Sequence, residues 1–155
     1  RAPAGIFPWL AAEPYIVLLH ATSQQRKLWS DASWAELGRV QAARGRRCVL
    51  PWHSSGERAR SERLSQQIPG AIVPPELALG DVTRLIAGAA AVAGVDTGIT
   101  HLAAALGVPT VGIYRATDPA ATGLYAGARA LNVGTVDSAP SVHAVSAGLE
   151  RLLGN

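Results

Sequence analysis

Residues 91–114 read AVAGVDTGITHLAAALGVPTVGIY, and this stretch decides the fold. Ala91 to Val95 is a short, wholly apolar run of the kind that forms a buried strand. Asp96, Thr97 and Gly98 break it, residues 98–106 follow as a helix of mostly small residues, and Thr110 to Tyr114 is apolar again. A strand, a helix and a strand in such quick succession make a βαβ unit, whose two strands run parallel.

The same alternation extends outward in both directions. Tyr15 to Leu19 is a continuous apolar strand. Ser33-Trp34-Ala35-Glu36 has capping-box spacing and predicts a helix with Leu37 and Val40 on one face, ended by Gly45. Arg47 to Leu50 is the next strand. A polar helix over about Gly56 to Gln67 and a short strand near Ala71 to Val73 come after it. Asp81 is expected to cap a helix that places Val82, Leu85, Ile86 and Ala89 together. Beyond Tyr114 the reading is a loop over 115–129, a short strand near Arg129 to Val133 and a helix near Val142 to Leu153. Residues 1–14, with three prolines and the scattered Ile6, Phe7, Trp9 and Leu10, read as a linker with hydrophobic anchors, and 15–155 as one domain. Strands alternating with helices place the chain in the α/β class, with a parallel, doubly wound sheet. In such sheets ligands sit beyond the carboxyl ends of the strands, where strand order reverses.

Composition narrows the function classes. Hydrophobic residues are 48% and charged residues 16% of the 155, which excludes a disordered chain. The longest weakly polar stretch, Leu85 to Val95, is about half the roughly 20 residues that a membrane-spanning helix needs. No secretory signal pattern is visible. Cys48, the only cysteine, lies in an apolar strand and reads as a buried thiol in a reducing compartment. Net charge is +3 without the dense Lys/Arg clustering of a nucleic-acid surface, so no nucleic-acid partner is expected. Arg44, Arg46 and Arg47 read as a solvated helix terminus, with a weak attraction to anionic lipid headgroups left open. The chain has no methionine, and the expectation is a fragment of a longer protein.

The residues just after each strand are the candidates for chemistry. After the first strand, Thr22 and Ser23 can offer donors to phosphate oxygens and Lys27 a positive charge; a helix-capping loop with a surface lysine accounts for them equally well. After the second, Trp52 is suited either to stacking on a base or to anchoring the core. Glu57 is suited either to accepting ribose hydroxyls or to serving as a first-turn charge. Asp96-Thr97-Gly98 with His101 is the sharpest signal. Gly98 opens a helix whose unpaired N–H groups suit a diphosphate, His101 sits in its first turn, and Asp96 at the strand tip can bind sugar hydroxyls. A capping Asp with a buried His would leave Gly98 and His101 without a reason. Thr117-Asp118-Pro119 is an ordinary turn sequence. Gly-x-Gly-x-x-Gly, Walker and Gly-x-Ser-x-Gly signatures are missing, and His20, His53, His101 and His143 lack zinc-ligand spacing.

Together these segments resemble one family. His20-Ala21-Thr22-Ser23 with Lys27-Leu28-Trp29, Leu50-Pro51-Trp52 with Glu57, Asp96-Thr97-Gly98 with His101, and Tyr114 to Pro119 are similar in order and spacing to the lipopolysaccharide heptosyltransferases of glycosyltransferase family nine, most closely the heptosyltransferase I group. The likeness runs from about Tyr15 to the C-terminus. It implies the C-terminal donor-binding half of a GT-B enzyme: a Rossmann-like, three-layer α/β/α domain with a parallel sheet, facing an N-terminal acceptor domain not present in this sequence. It further implies inverting transfer of L-glycero-D-manno-heptose from ADP-heptose to lipid-linked Kdo of the lipopolysaccharide inner core, with no cofactor and no metal. Thr22, Ser23, Thr97 and Gly98 would hold the diphosphate and Lys27 would neutralise the leaving group. Glu57 would bind the ribose, Leu77 would line the adenine pocket, and Asp96 and His101 would hold the heptose. A cytoplasmic enzyme at the inner face of a Gram-negative inner membrane is implied, with its general base in the other domain and the isolated fragment inactive. The family's Tyr-Gly-Pro-Thr-Asp-Pro becomes Tyr114-Arg115-Ala116-Thr117-Asp118-Pro119 here, which puts a role for Asp118 in doubt and gives Arg115 scope for a new contact. Two other readings stay open: another sugar-nucleotide enzyme of the same architecture, such as a different glycosyltransferase or a non-hydrolysing epimerase, and a standalone nucleotide-binding module.

Overall fold

A computed structural model describes residues 7–24, 27–115, 129–135 and 138–154. Five strands form one parallel sheet: β1 (Tyr15–Leu19), β2 (Arg47–Val49), β3 (Ala91–Val95), β4 (Thr110–Arg115) and β5 (Ala130–Thr135). Their spatial order is β2-β1-β3-β4-β5. Among the described residues five helices connect or flank them: α1 (Asp31–Ala43), α2 (Ser55–Ser65), α3 (Leu79–Ala87), α4 (Gly98–Ala105) and α5 (Val142–Leu152).

Every residue of β1 and β3 is buried, as expected of central strands covered on both sides. Successive side chains feed two separate cores. Ile16 and Leu18 join Trp34, Leu37, Leu64 and Leu149 under α1, α2 and α5. Tyr15, Val17 and Leu19 join Leu85, Ile86 and Ala103 under α3 and α4. Phe7 and Leu10 pack into this second core, so part of the segment ahead of β1 is seated on the domain. Tyr15 reaches furthest, its hydroxyl donating to the Leu85 carbonyl at 2.6 Å. Right-handed crossovers explain the layering: the step from β1 to β2 and the step from β3 to β4 run in opposite directions across the sheet, so α1 and α4 fall on opposite faces.

Several boundaries differ from the sequence reading. Ser30, not Ser33, caps α1: its Oγ accepts the Ser33 N–H at 3.1 Å, and starting there also sets Asp31 against the positive helix end. Gly45, at φ +80°, closes that helix in a Schellman arrangement, with Arg46 N–H on the Gln41 carbonyl and Gly45 N–H on that of Ala42. Asp81 does not cap α3; Ala78 does, without a side-chain bond, and Asp81 pairs with Arg84 one turn on. The strand expected at 71–73 shrinks to a single bridge between Ile72 and Val49. Arg46 is not a solvated end residue but a two-pronged partner of Glu150 on α5, at 2.6 and 3.2 Å. The loop expected over 115–129 lies, from 116 to 128, outside the described residues.

One contact sets how closely α4 approaches the sheet. A Cβ on Gly94 in β3 would collide with the buried Thr100 side chain and crowd Leu19. Gly94→Ala is expected to cost about 1–3 kcal/mol through overpacking, read as a lower urea midpoint at unchanged slope. Gly98→Ala, where a methyl would meet no protein atom within 4 Å, is expected to stay within about 0.5 kcal/mol of wild type.

Candidate functional site

Strand order reverses between β1 and β3, and the loops that leave their carboxyl ends diverge to opposite faces. A cleft of about 1170 Å³ opens there. Its walls come from the β1–α1 loop (residues 19–24 and Lys27), the segment after β2 with Glu57, residues 76–79 with Val82, and Asp96 to Ile99. Of the residues singled out by sequence, Thr22, Ser23, Lys27, Trp52, Glu57, Leu77, Asp96, Thr97 and Gly98 all face this space.

Asp96 stands at its centre, only 7% exposed and gripped from two sides. Its Oδ1 meets His101 Nε2 at 3.0 Å and its Oδ2 lies 3.5 Å from Lys27 Nζ. His101 therefore does not line the cleft; it stands behind the carboxylate and orients it. Thr97 caps α4, its Oγ1 accepting the Thr100 N–H, which leaves the Gly98 and Ile99 N–H groups without an intrahelical carbonyl. Gly98 has no packing neighbour that demands its missing side chain, and the space above it belongs to the cleft.

The opposite wall is the β1–α1 loop. Thr22 Oγ1 accepts the Gln24 N–H at 3.2 Å, and the Lys27 N–H bonds the Gln24 carbonyl at 2.9 Å, turning the lysine toward Asp96. The end of the loop is held by Trp29, whose indole N–H donates to the Pro140 carbonyl and whose ring meets Trp34 edge-on. Beneath the loop His20 is fully buried, with Nε2 2.7 Å from Ser61 Oγ and Nδ1 unpartnered. Burial, reinforced by the Arg60 charge, lowers its pKa from 6.5 to about 4.

Trp52, Glu57 and Leu77 form the far end. Trp52 joins neither core cluster; its indole N–H holds the Pro74 carbonyl at 2.8 Å and Arg58 lies 5.2 Å from the ring centre. Glu57 is the third residue of α2, bonded through its own N–H to Ser54 Oγ, while its Oε1 accepts the His53 N–H at 2.8 Å. That ties down one carboxylate oxygen and aims the group along the cleft wall. Leu77 is half-buried against the second core.

Sequence reasoning passed over Glu76, Leu79 and Val82 on this wall and Arg60 and Ser61 beneath the loop. The last two carried a readable signal: Glu57, Arg60, Ser61 and Leu64 follow helical spacing, so a helix whose one large apolar residue, Leu64, lies near its end must turn polar side chains inward along the same face. Asp118 lies outside the described residues, as does the side chain of Arg115. Among the described residues no group of three or more His, Cys, Asp or Glu is placed to hold a metal ion.

Comparison with known proteins agrees with this fold. The family model described as glycosyltransferase family 9 (heptosyltransferase) matches residues 2–149. Lipopolysaccharide heptosyltransferase 1 of Pseudomonas aeruginosa is 45% identical over 112 residues, 72% of this chain and 32% of that protein. The solved structure of E. coli heptosyltransferase WaaC with ADP superposes at a TM-score of 0.84 with 35% identity, covering 91% of this chain and 45% of that one. The structure of the same enzyme with ADP-2-deoxy-2-fluoro heptose gives 0.80 and 34%, over 90% and 43%. The chain thus spans about a third of the length of its curated relative.

Because His20 binds a proton more weakly folded than unfolded, stability is full above pH 6.5, falls as pH drops from 6.5 toward 4, and levels off below. The loss attributable to this one group is roughly 3 kcal/mol at most. Asp31 acts in a separate window. Burial pushes its carboxyl up, but hydrogen bonds and charge from Arg60 and Arg63 outweigh that and hold it below 3.8, so its contribution is lost only in stronger acid. Urea unfolding of His20→Gln between pH 4.5 and 7.5 is expected to show a flatter profile than wild type; an unchanged profile would remove His20 as the cause.

Proposed function

Because this chain belongs to glycosyltransferase family 9, we propose that it is the donor-binding domain of an inverting, metal-independent heptosyltransferase that takes heptose from ADP-heptose for delivery to Kdo of the lipopolysaccharide inner core. On this reading the partner domain of the same enzyme carries the acceptor and the general base, residues 1–14 connect the two, and the enzyme works at the cytoplasmic face of the inner membrane. No described helix is long and apolar enough to cross a membrane.

The observation that carries the proposal is the meeting of Lys27 with Asp96 beside the first turn of α4. Breaking a heptose–phosphate bond builds negative charge on the departing ADP. A cation and a set of oriented N–H donors in a sheltered cleft stabilise that charge without reorganising. Lys27 supplies the cation, and Thr97, Gly98 and Ile99 supply the helix start. Thr22 and Ser23 face the same space from the opposite loop. Asp96, oriented by His101, is set to accept heptose hydroxyls when the diphosphate draws Lys27 away from it. Glu57, with one oxygen fixed by His53 N–H, presents the other to ribose, and Leu77 packs on the adenine. The WaaC relative was solved with ADP and with an ADP-heptose analogue, which supports an adenine nucleotide as the ligand.

Calorimetric titration tests this. ADP is expected to bind more tightly than UDP, and Lys27→Ala to weaken ADP about tenfold or more in a chain that still unfolds cooperatively, its midpoint lowered because the buried Asp96 loses one partner. Asp96→Ala is expected to weaken ADP-heptose more than ADP. Equal affinity for ADP and UDP would point to a different sugar nucleotide, and an unaltered ADP affinity in Lys27→Ala would take the lysine out of the mechanism.

A further inference from the structure

The β1–α1 loop carries Thr22, Ser23 and Lys27, and a single side chain from another helix holds both of its ends. Arg60 on α2 has a side chain 12% exposed. Its Nη1 donates to the His20 carbonyl at 2.9 Å, its Nη2 to the Trp29 carbonyl at 2.5 Å, and its Nε to Asp31 Oδ1 at 2.7 Å. His20 is the first residue after β1, Trp29 lies just ahead of the α1 cap, and Asp31 is the first residue of α1. One planar group therefore ties the point where the loop leaves the sheet to the point where it enters the helix.

From this geometry we infer that Arg60 is a positioning residue for nucleotide diphosphate: it sets the loop conformation that brings Lys27 opposite the α4 N-terminus, without touching the ligand itself. The inference rests on the donor-binding reading above and adds to it the group that makes the phosphate wall. A guanidinium is suited to the task because its donors lie in a fixed plane, whereas an ammonium cannot satisfy three acceptors in that arrangement. Asp31 keeps the fork in place from the outer side, with Arg63 sharing its second oxygen at 3.2 Å. Ser61, the next residue of α2, holds His20 by its ring, so the loop's origin is fixed through backbone and side chain alike. The base end of the cleft has anchors that do not involve the Arg60 side chain, since Trp52 is secured through Pro74 and Leu77 through the second core, while Arg58 and Glu57 reach it from elsewhere on α2. Loss of Arg60 must then act on phosphate recognition and spare the nucleoside.

The test compares ADP with adenosine on wild type, Arg60→Lys and Asp31→Asn, with urea unfolding to show that each variant is folded. Arg60→Lys keeps the charge and removes the fork. It is expected to weaken ADP about tenfold or more while adenosine affinity stays within about twofold. Asp31→Asn, which keeps Arg60 but slackens its seat, is expected to show a smaller loss of the same selective kind, and it decides the matter if Arg60→Lys does not fold. Equal losses for ADP and adenosine, or unchanged ADP affinity, would overturn the assignment. A wild-type chain that binds no ADP would overturn the donor-binding reading itself and this inference with it.

Discussion

The site depends on one constraint of chain handedness. Crossovers between parallel strands are right-handed, so a sheet that grows outward in both directions from β1 and β3 must send its connections to opposite faces. Among the described residues the loops that leave those two strand ends diverge, and a cleft lies between them. The β1–β3 pairing, with Leu19 level with Gly94, brings the strand tips level across that gap. The absence of a side chain at Gly94 then lets α4 settle against the sheet, which carries its first turn to the cleft edge.

Within that frame the electrostatics are economical. Asp96 is a carboxylate almost out of water, and such a group is costly unless paired. Lys27 and His101 take one oxygen each, from two elements that belong to different layers. The same contacts that make the buried acid tolerable also fix the lysine in the cleft and the imidazole behind it. On the proposed donor-binding reading, structural satisfaction and ligand chemistry would be served by one set of atoms.

Much of this was legible in the chain. The apolar runs at 15–19, 47–50, 91–95 and 110–114 were strands because nothing else buries so many consecutive small and branched residues. Asp96-Thr97-Gly98 stood out because three helix-starting residues followed a strand directly. The less legible parts share a cause: polar atoms satisfied by distant partners. Arg60 belongs to a helix whose composition looks solvated, and only the tertiary position of the Trp29 and His20 carbonyls turns it inward. Arg46 was read as an end charge because Glu150 is remote in sequence. Residues 71–73 carry strand-like apolar character, yet only Ile72 bridges to the sheet. Capping was misplaced by three residues at both α1 and α3: Ser30 competes with an equally good cap in Ser33, whereas Ala78 caps without a side-chain bond where Asp81 was the better residue by type.

The Lys27–Asp96 pair has one more consequence. A lysine ordered on its own gives up as much as about 2 kcal/mol of rotamer freedom, and at most cation sites that loss falls when the anion arrives. Here the side chain is already pinned by a carboxylate of the same chain. On the donor-binding reading an incoming phosphate would meet an ammonium already ordered in folding, and its capture would be an exchange of one oxyanion for another. A departing ligand, in turn, would leave behind a cation with a resident neighbour to return to.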